Sequence, residues 1–570
     1  MTGQNTFDDA RSFFRGARAE VITLVIILFL QVGFMVRMGV EKKEYHLDEV
    51  YSYVLANSHR ADRITNRPDL WERWISPGEL NEVVTVQEGE RFSFGTVYRN
   101  NVLDIHPPLY YWALHSVCSL FANRFSKWFG LSLNILLFLL NQLVLYALSK
   151  RLLRKPRLAL LPPLLYGGSM VALDTVLFLR MYMMLTFWTT LLVWLALDIL
   201  ERGQTAKKLV MLYVVTLGGL MTQYLFAIVA FFITVSVCLT KFWRRQIKEP
   251  LIFGATMLGA VGSLLLIYPA ALMHLRGSET NPIGAEIMNH IRLINELGET
   301  VRLNLKDLYD TVRIRSVTLP VLMGFGVICL LFVISSWIDQ KKASSARGNQ
   351  ESLKPELNEV KRDQQRFVRL FTTFALTFVV VSHVTAHYRS LRYLYSLMPI
   401  LSLLVIMLFV LLIQKISLDR KIFELTLIFA VLFSVISFMR NPISQYMYQD
   451  VYDKDRCRIC DYETDLCLFV NANLPDGSGY ATAPPTENLL RMMAYDHIYM
   501  TDEKGLYNWN GLYSDQDFSD GVIVFVATDQ NWLAGLNGDS VMEQILNNSA
   551  ELREYVRIQK TGLCDIYYAH

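Results

Sequence analysis

The chain has 570 residues, of which 52% are hydrophobic, and it carries a formal net charge of +3. So large an apolar share argues against an ordinary soluble multidomain protein. A charge this close to neutrality gives no sign of a nucleic-acid partner. The basic residues instead cluster where they would determine membrane topology.

Long apolar stretches recur along most of the chain. A hydrocarbon core about 30 Å thick needs about 20 mostly apolar residues per helix. A soluble protein can bury one or two such helices but not a long series, so the pattern predicts about eleven membrane spans. The predicted spans are Val21–Val40, Leu131–Leu148, Leu158–Leu173, Met183–Leu200, Leu209–Tyr224, Phe226–Thr240, Leu251–Leu272, Leu319–Ile338, Phe371–Thr385, Leu394–Ile413 and Ile422–Met439.

Basic residues between these stretches predict how the spans are oriented. Arg11, Arg15 and Arg18 precede the first span, which places the N-terminus inside by the positive-inside rule. Later connectors of the same side also carry clustered Lys and Arg: Lys150–Arg157, Arg202–Lys208, Lys241–Lys248, Gln340–Arg369 and Lys415–Lys421. The first stretch does not resemble a cleaved signal peptide, because no small-residue cleavage site follows it.

The apolar segment Pro107–Phe121 is interpreted as a short juxtamembrane or re-entrant helix on the outer side. If it crossed the membrane, the basic segment Lys150–Arg157 would lie outside. The predicted organisation is therefore a transmembrane domain over residues 1–440 and an extracytoplasmic domain over residues 441–570. The first domain contains an outer loop (41–106), the juxtamembrane helix (107–122), a second outer loop (273–316) and a cytoplasmic loop (340–369).

The polar tail from Asn441 onward alternates strand-like and helix-like patterns. Such alternation predicts a small α/β domain and favours a parallel sheet. The predicted strands are Leu466–Ala472, His497–Thr501, Gly521–Thr528 and Tyr555–Gln559, and the predicted helices are Pro485–Tyr495 and Ser540–Asn548.

Four of the seven cysteines fall in this tail, at positions Cys457, Cys460, Cys467 and Cys564. An even number in an extracytoplasmic domain favours disulfides. A zinc site with the four thiolates as ligands is the alternative.

Chemistry-bearing residues gather in four elements, all at predicted outer ends of spans. The elements are EYHLDEVYSYVLANS with His46, Asp48 and Glu49; LDIHPPLYYWALH with His106; ALDTVLFLRMYMM with Asp174, Arg180 and Tyr182; and HVTAHYRSLRYLYSLMP with His383, His387, Arg389, Arg392 and Tyr393. Each has a structural interpretation when taken alone, since an outer acidic pair is simply hydrated and consecutive prolines begin a helix.

Taken together, these residue types suit the transfer of a sugar from a lipid phosphate. Arginine and histidine hold a phosphate through charge-assisted hydrogen bonds. A nearby carboxylate takes the proton from an attacking hydroxyl. An apolar groove between helices suits a polyprenyl tail.

The LDE after the first span, the HPPLYY that closes the first outer loop, the RxY of a later span and the RYLYSLMP further on resemble a known family. They are similar to the bacterial protein O-mannosyltransferases. More broadly, they resemble the multispanning glycosyltransferases of C-type fold that use polyprenyl-phosphate sugars, among them the aminoarabinose transferase acting on lipid A. The resemblance covers roughly the first 400 residues and does not extend to the tail.

This resemblance implies an inverting transfer on the extracytoplasmic face, with Asp48 as general base and Glu49 as its neighbour in the motif. His106 would border the donor site. By charge and position we assign the donor phosphate to Arg180 and Arg392, with Tyr182, Arg389 and Tyr393 beside them. Asp174 stands where related transferases have a second carboxylate. The structural alternative is that Asp174 caps a helix and Arg180 extends to lipid head groups.

No cofactor is required, because arginine can stabilise a phosphate leaving group. A divalent cation held by His46, Asp48, Glu49 and His106 is the minor alternative. The expected acceptor is a protein, a glycolipid or a cell-envelope polymer, and the expected location is a bacterial plasma membrane. The rival function is a lipid-linked-sugar flippase or another polytopic transporter. Such proteins place ionisable groups near the bilayer midplane, whereas here they crowd the predicted outer face.

Overall fold

The fold is that of a computed structural model, and it is described over part of the chain. The described residues are 2–59, 67–243, 245–276, 391–415, 420–442, 444, 446, 462, 464–472, 483–507, 512, 516–528, 535–560 and 563–570. Several predicted features lie outside them: the spans Leu319–Ile338 and Phe371–Thr385, the cytoplasmic loop 340–369 and the second outer loop beyond Arg276.

The described part of the chain is mostly helical. From the N-terminus to residue 276 its helices are α1 (Thr2–Glu41), α2 (Leu47–Asn57), α3 (Pro77–Asn81), α4 (Phe94–Val102), α5 (Leu109–Ser119), α6 (Lys127–Leu153), α7 (Pro156–Ala159), α8 (Leu161–Gly167), α9 (Met170–Leu177), α10 (Tyr182–Arg202), α11 (Ala206–Thr222), α12 (Phe226–Trp243), α13 (Lys248–Ile267) and α14 (Ala270–Arg276). The later helices are α15 (Met398–Lys415), which follows a 3-10 segment at Leu391–Leu397, then α16 (Arg420–Arg440), α17 (Ala483–Met492) and α18 (Gly538–Asn548).

Among the described residues, 5 helices are long and apolar enough to cross a membrane, or 6 if one bent pair counts as a span. The segments are Arg18–Glu41, Lys127–Leu153, Tyr182–Arg202, Lys248–Ile267 and Arg392–Leu411, with Pro156–Gly167 and Met170–Leu177 as the bent pair. Large apolar side chains on α1, such as Val25 and Phe29, face outward, which suits contact with lipid. The chain is thus a polytopic membrane protein.

The predicted span Leu158–Leu173 is not one straight helix. Its two parts meet at an angle of 56°. Pro162 and Pro163 in the first turn of α8 lack backbone N–H groups, which interrupts the helical hydrogen bonding between α7 and α8. Two glycines, Gly167 and Gly168, then close α8.

Contacts divide the chain into two units. The first unit comprises Met1–Val40, Asn134–Leu177 and Met181–Ser444. Within it, buried amide and hydroxyl side chains donate to carbonyls of the bent pair. Gln31 and Gln142 both donate to the Pro163 carbonyl, at 3.0 and 2.9 Å, and Ser402 donates to that of Pro162 at 3.2 Å. These bonds satisfy backbone groups that lipid cannot.

The second unit comprises Glu41–Leu133, Phe178–Arg180 and Gln445–His570. It contains a six-stranded sheet in the order β1-β3-β2-β4-β6-β5. The strands are β1 (Trp74–Ile75), β2 (Leu466–Asn471), β3 (His497–Asp502), β4 (Val522–Ala527), β5 (Tyr555–Lys560) and β6 (Cys564–Ala569). Its core is apolar, with Leu468, Val524 and Ile545 among the fully buried residues.

The sheet differs from the predicted one in two respects. Strand β2 is parallel to β3 and β4, but β6 is antiparallel to both β4 and β5, so the sheet is mixed. The first outer loop also contributes a strand, because Trp74 and Ile75 pair antiparallel with β3. Loop and tail therefore form one unit, whereas the sequence divided them at residue 440.

The strand register separates two of the tail cysteines. Cys467 pairs with Ile523 and Cys564 with Ala527, so they lie two strands apart and at different heights on the sheet. Strands are spaced about 4.8 Å apart, and a disulfide needs Cα atoms within about 7 Å. Cys467 and Cys564 therefore neither pair with each other nor share one zinc ion. Cys457 and Cys460 lie outside the described residues.

The amides of Gln31 and Gln142 form a polar cluster at the Pro163 carbonyl, and a substitution at Gly167 tests what this cluster contributes to stability. A Cβ added there would meet the Nε2 atoms of Gln31 and Gln142 at 2.2 and 2.4 Å. Gly167→Ala should displace both amides from the Pro163 carbonyl and destabilise the protein by about 1–3 kcal/mol. Thermal unfolding in detergent measures the effect.

The matched control is Gly254→Ala in α13, where an added Cβ meets nothing within 4 Å. This change should leave the protein as stable or slightly more so, because alanine favours helix. Equal unfolding temperatures for the two variants would contradict the proposed role of the cluster.

Candidate active site

The predicted acidic pair stands in the first turn of α2. His46 is the N-cap, and its Nδ1 accepts from the Asp48 N–H at 3.0 Å. The Glu49 carboxylate accepts in return from the His46 N–H at 2.7 Å. This reciprocal capping explains why a helix begins here, and the helix dipole favours both carboxylates at this end.

Glu49 is buried and fully engaged. Its Oε2 accepts from the Lys42 Nζ at 3.0 Å, and both side chains are 0% exposed. Its Oε1 accepts from the Leu179 N–H at 2.9 Å. Both carboxylate oxygens of Glu49, the neighbour of Asp48 in the motif, thus bind groups of the protein. Lys42 was missed because it lies in the charged run EKKE, which resembles the polar flank of a span.

Asp48 has a different environment from Glu49, although the two are adjacent. Its side chain is 23% exposed, and one carboxylate oxygen lies 3.7 Å from His46 Nδ1. Its backbone N–H is held by that same ring nitrogen. The helix thus fixes the Asp48 backbone, and the Asp48 carboxylate is partly exposed.

Arg180 joins Asp48 to His106. The guanidinium donates to the Asp48 carbonyl at 3.2 Å and lies 3.3 Å from His106 Nε2. Since a guanidinium only donates, His106 Nε2 must accept, and the ring proton belongs on Nδ1. That nitrogen lies 2.6 Å from an Asp104 carboxylate oxygen, which accepts the proton's hydrogen bond. Asp104 was not predicted, although the short spacing D-x-H is a signal that could have found it.

The structure therefore brings His106 and Arg180 to the helical turn that carries His46, Asp48 and Glu49. Arg180 is 5% exposed. It is directed at protein groups, so the alternative in which it extends to lipid head groups does not hold.

Tyr45, which precedes the cap of α2, packs together with the rings of Tyr53 and Phe125. The Tyr45 ring lies 5.5 Å from that of Phe125, edge to face, and Tyr53 lies 4.8 Å from the same ring. Burial, with Glu49 and Glu44 nearby, raises the pKa of Tyr45. Its phenol therefore stays protonated at neutral pH and adds no charge beside Asp48.

The other predicted residues lie in the first unit. Asp174 is buried in the middle of α9, where it accepts from the Tyr395 hydroxyl at 3.1 Å and from the Ser444 hydroxyl at 2.5 Å. It is therefore not a helix cap. Tyr182 packs its ring against Tyr393 at 6.4 Å. The Arg392 guanidinium lies 5.6 Å from the centroid of the Tyr393 ring. His383, His387 and Arg389 lie outside the described residues.

The minor alternative of a cation site is not supported by the arrangement of its four residues. Both Glu49 oxygens and both His106 nitrogens already have partners, as does His46 Nδ1. Over the described ranges, no group of three or more His, Cys, Asp or Glu residues is arranged to hold a metal ion.

The buried ion pair between Lys42 and Glu49 leads to a prediction about the stability of the protein. Glu49→Gln leaves the Lys42 ammonium buried without its counter-ion, a change that costs about 3–5 kcal/mol. The unfolding temperature should fall steeply. Glu88→Gln, at an exposed ion pair with Arg91, should change it little.

A double variant separates the charge from the hydrogen bonds. Adding Lys42→Met to Glu49→Gln removes the unpaired ammonium and should recover part of the lost stability. A double variant no more stable than Glu49→Gln would show that the buried charge is not the main cost.

Comparisons with known proteins give one family match and a structural likeness. Residues 105–272 match the family model described as Dolichyl-phosphate-mannose-protein mannosyltransferase. A solved structure, the crystal structure of ArnT from Cupriavidus metallidurans bound to undecaprenyl phosphate, aligns over 97% of both chains with 10% identity and a TM-score of 0.45. The search of curated proteins found no match. The family match bears out the predicted resemblance over residues 105–272, which include the HPPLYY and RxY motifs.

Proposed function

We propose that the chain is a membrane glycosyltransferase that moves a sugar from a polyprenyl-phosphate donor to an acceptor hydroxyl, with inversion. The observation that carries the proposal is the Arg180 guanidinium, held within hydrogen-bond distance of both the Asp48 backbone and His106. It holds a positive charge at the backbone of Asp48, whose carboxylate is partly exposed. The family match supports the same class of donor, because a dolichyl-phosphate sugar is a lipid-phosphate sugar.

Asp48 acts as the general base in this proposal. Its carboxylate takes the proton from the acceptor hydroxyl while the hydroxyl oxygen attacks the anomeric carbon. The bond between that carbon and the phosphate oxygen breaks on the opposite face of the sugar, and its electron pair leaves with the lipid phosphate. Attack opposite the leaving group inverts the anomeric configuration.

Arginine stabilises the phosphate as it leaves. Arg180 supplies positive charge next to Asp48, and its contacts with His106 and the Asp48 carbonyl hold it in place before the donor arrives. By charge alone, Arg392 and Arg389 are further candidates for the donor phosphate, with Tyr182 and Tyr393 beside the sugar or lipid. Asp174 is then a buried support of the first unit.

The side of the membrane on which the reaction takes place is inferred from the topology. Asp48 follows the apolar helix Arg18–Glu41, and the positive-inside rule assigns the arginine-bearing flank before this helix to the cytoplasm, so the reaction would face the extracytoplasmic side. The proposed location is a bacterial plasma membrane, with a protein, glycolipid or envelope polymer as acceptor.

Sugar transfer in membranes tests the proposal. Membranes carrying wild-type protein or Asp48→Asn are supplied with a panel of radiolabelled polyprenyl-phosphate sugars. Asparagine keeps the shape of the side chain and removes the base, so label transfer should fall about 10²–10⁴-fold at equal expression. The matched control, Asp69→Asn, makes the same change at an exposed carboxylate of the same loop and should transfer normally.

Two results would contradict the proposal in different ways. Equal transfer by Asp48→Asn and wild type would reject Asp48 as the base while leaving the enzyme class intact. Wild-type membranes that transfer no sugar from any donor, but move a lipid-linked sugar across the bilayer, would favour the flippase.

Arg180→Lys provides a separate test of the leaving-group assignment. Lysine keeps the charge but has no planar fork that reaches both His106 and the Asp48 carbonyl. We expect kcat to fall about 10²-fold. Arg99→Lys, at an exposed arginine of α4, is the control and should leave kcat unchanged. Equal kcat for Arg180→Lys and wild type would reject the role of Arg180.

A further inference from the structure

Tyr446 lies a few residues beyond the end of α16 and contacts the candidate site through its backbone. Its carbonyl oxygen accepts from the Lys42 Nζ at 2.8 Å. Lys42 is the residue whose ammonium pairs with Glu49 in the first turn of α2. The buried ammonium thus has partners from two distant parts of the second unit, and its position depends on both.

The Tyr446 side chain makes a second set of contacts. Its ring stacks on Phe178 with centroids 4.0 Å apart and planes 10° from parallel. The His46 ring meets both members of the stack edge-on, at 5.6 Å from Phe178 and 6.2 Å from Tyr446. Such stacked and edge-to-face pairs are favourable beyond the area they bury.

Tyr446 thus contacts three residues, Lys42, Phe178 and His46, and each of them adjoins or binds a residue of the candidate site. Phe178 directly precedes Leu179, whose N–H binds Glu49, and Arg180, which binds Asp48 and His106. His46 caps α2 and holds the Asp48 N–H. One tyrosine of the C-terminal segment therefore contacts the segment before α2, the cap of α2 and the segment that carries Arg180.

A second contact from the tail reaches the same part of the chain. Arg491 of α17 donates to the Glu44 carboxylate at 3.0 and 2.8 Å, and this pair is mostly shielded from solvent. Glu44 lies between Lys42 and His46. The segment from Lys42 to Glu49 is therefore held from the tail at two points that share no side chain.

We propose that Tyr446 is a positioning residue of the active site. Through Tyr446, the C-terminal segment is an integral part of the catalytic unit. The inference rests on the proposed function. The stacked ring fixes Phe178 and His46, and they in turn fix Arg180 and Asp48. A displacement of about 1 Å at reacting groups can cost about 10²-fold in rate. A tail that served only to recognise the acceptor would instead change the acceptor KM.

The test compares Tyr446→Leu with Tyr446→Phe in the full-length purified protein. Leucine removes the stack, and kcat should fall about 10–100-fold while the donor KM changes less than about 3-fold. Phenylalanine keeps the ring and the backbone carbonyl, so it should restore most of the rate. Tyr462→Leu is the matched control, because it removes a ring that lies 4.1 Å from Tyr568 in the same unit.

Hydrogen exchange gives a measurement that does not depend on sugar transfer. Tyr446→Leu should speed exchange in peptides covering residues 42–57 and 175–182, and Tyr462→Leu should not. Unchanged exchange in both peptides would overturn the positioning role, as would wild-type kcat in Tyr446→Leu. If wild type transfers no sugar but Tyr446→Leu still loosens both peptides, the proposed function fails and the structural coupling stands.

Discussion

The candidate site depends on one buried ion pair, Lys42 with Glu49. The Glu49 carboxylate accepts from the Lys42 ammonium, the His46 N–H and the Leu179 N–H, and Lys42 also donates to the Tyr446 carbonyl, so three separate segments meet at this ion pair. Burying both charges is costly unless each is paired and hydrogen-bonded. Because that condition is met only when all three segments are in place, the pair favours a single arrangement of the site.

From this arrangement the difference between two adjacent carboxylates follows. Glu49 is buried and both of its carboxylate oxygens accept from protein donors, whereas Asp48, one residue earlier in the same helical turn, has a partly exposed side chain. Arg180 then bridges the Asp48 backbone and His106, and Asp104 fixes the proton of the His106 ring. In the proposed reaction, Glu49 of the LDE motif would position the site and Asp48 would face the substrate.

Much of this could be predicted from the sequence, because the strongest signals are local. Apolar stretches predicted helices such as α6 and α10, and the shared predicted side of the membrane grouped Asp48, His106 and Arg180. Lys42 and Tyr446 could not be found in this way. Their roles arise from contacts over long sequence separations, and neither stands in a motif that differs from ordinary flanking sequence.

The sheet shows the same limit. Strands β2 to β5 were predicted from their β-branched and aromatic runs, and β6 carries a similar signal in Ile566, Tyr567 and Tyr568 that the prediction omitted. Strand β1 is different, because two residues have no periodicity to detect. Only its pairing with β3 makes it a strand. Likewise, the 56° bend of the third predicted span was not predicted, although Pro162, Pro163 and the pair Gly167 and Gly168 are local signals of an interrupted helix.

The most direct test of the central claim is an experimental structure of the chain with a non-hydrolysable polyprenyl-phosphonate sugar bound. We predict that the anomeric carbon of the sugar faces the Asp48 carboxylate, with room for an acceptor hydroxyl between them, and that at least one arginine contacts the phosphonate. A sugar bound away from Asp48, or an Asp48 carboxylate directed away from the anomeric carbon, would contradict the claim that this site performs the transfer.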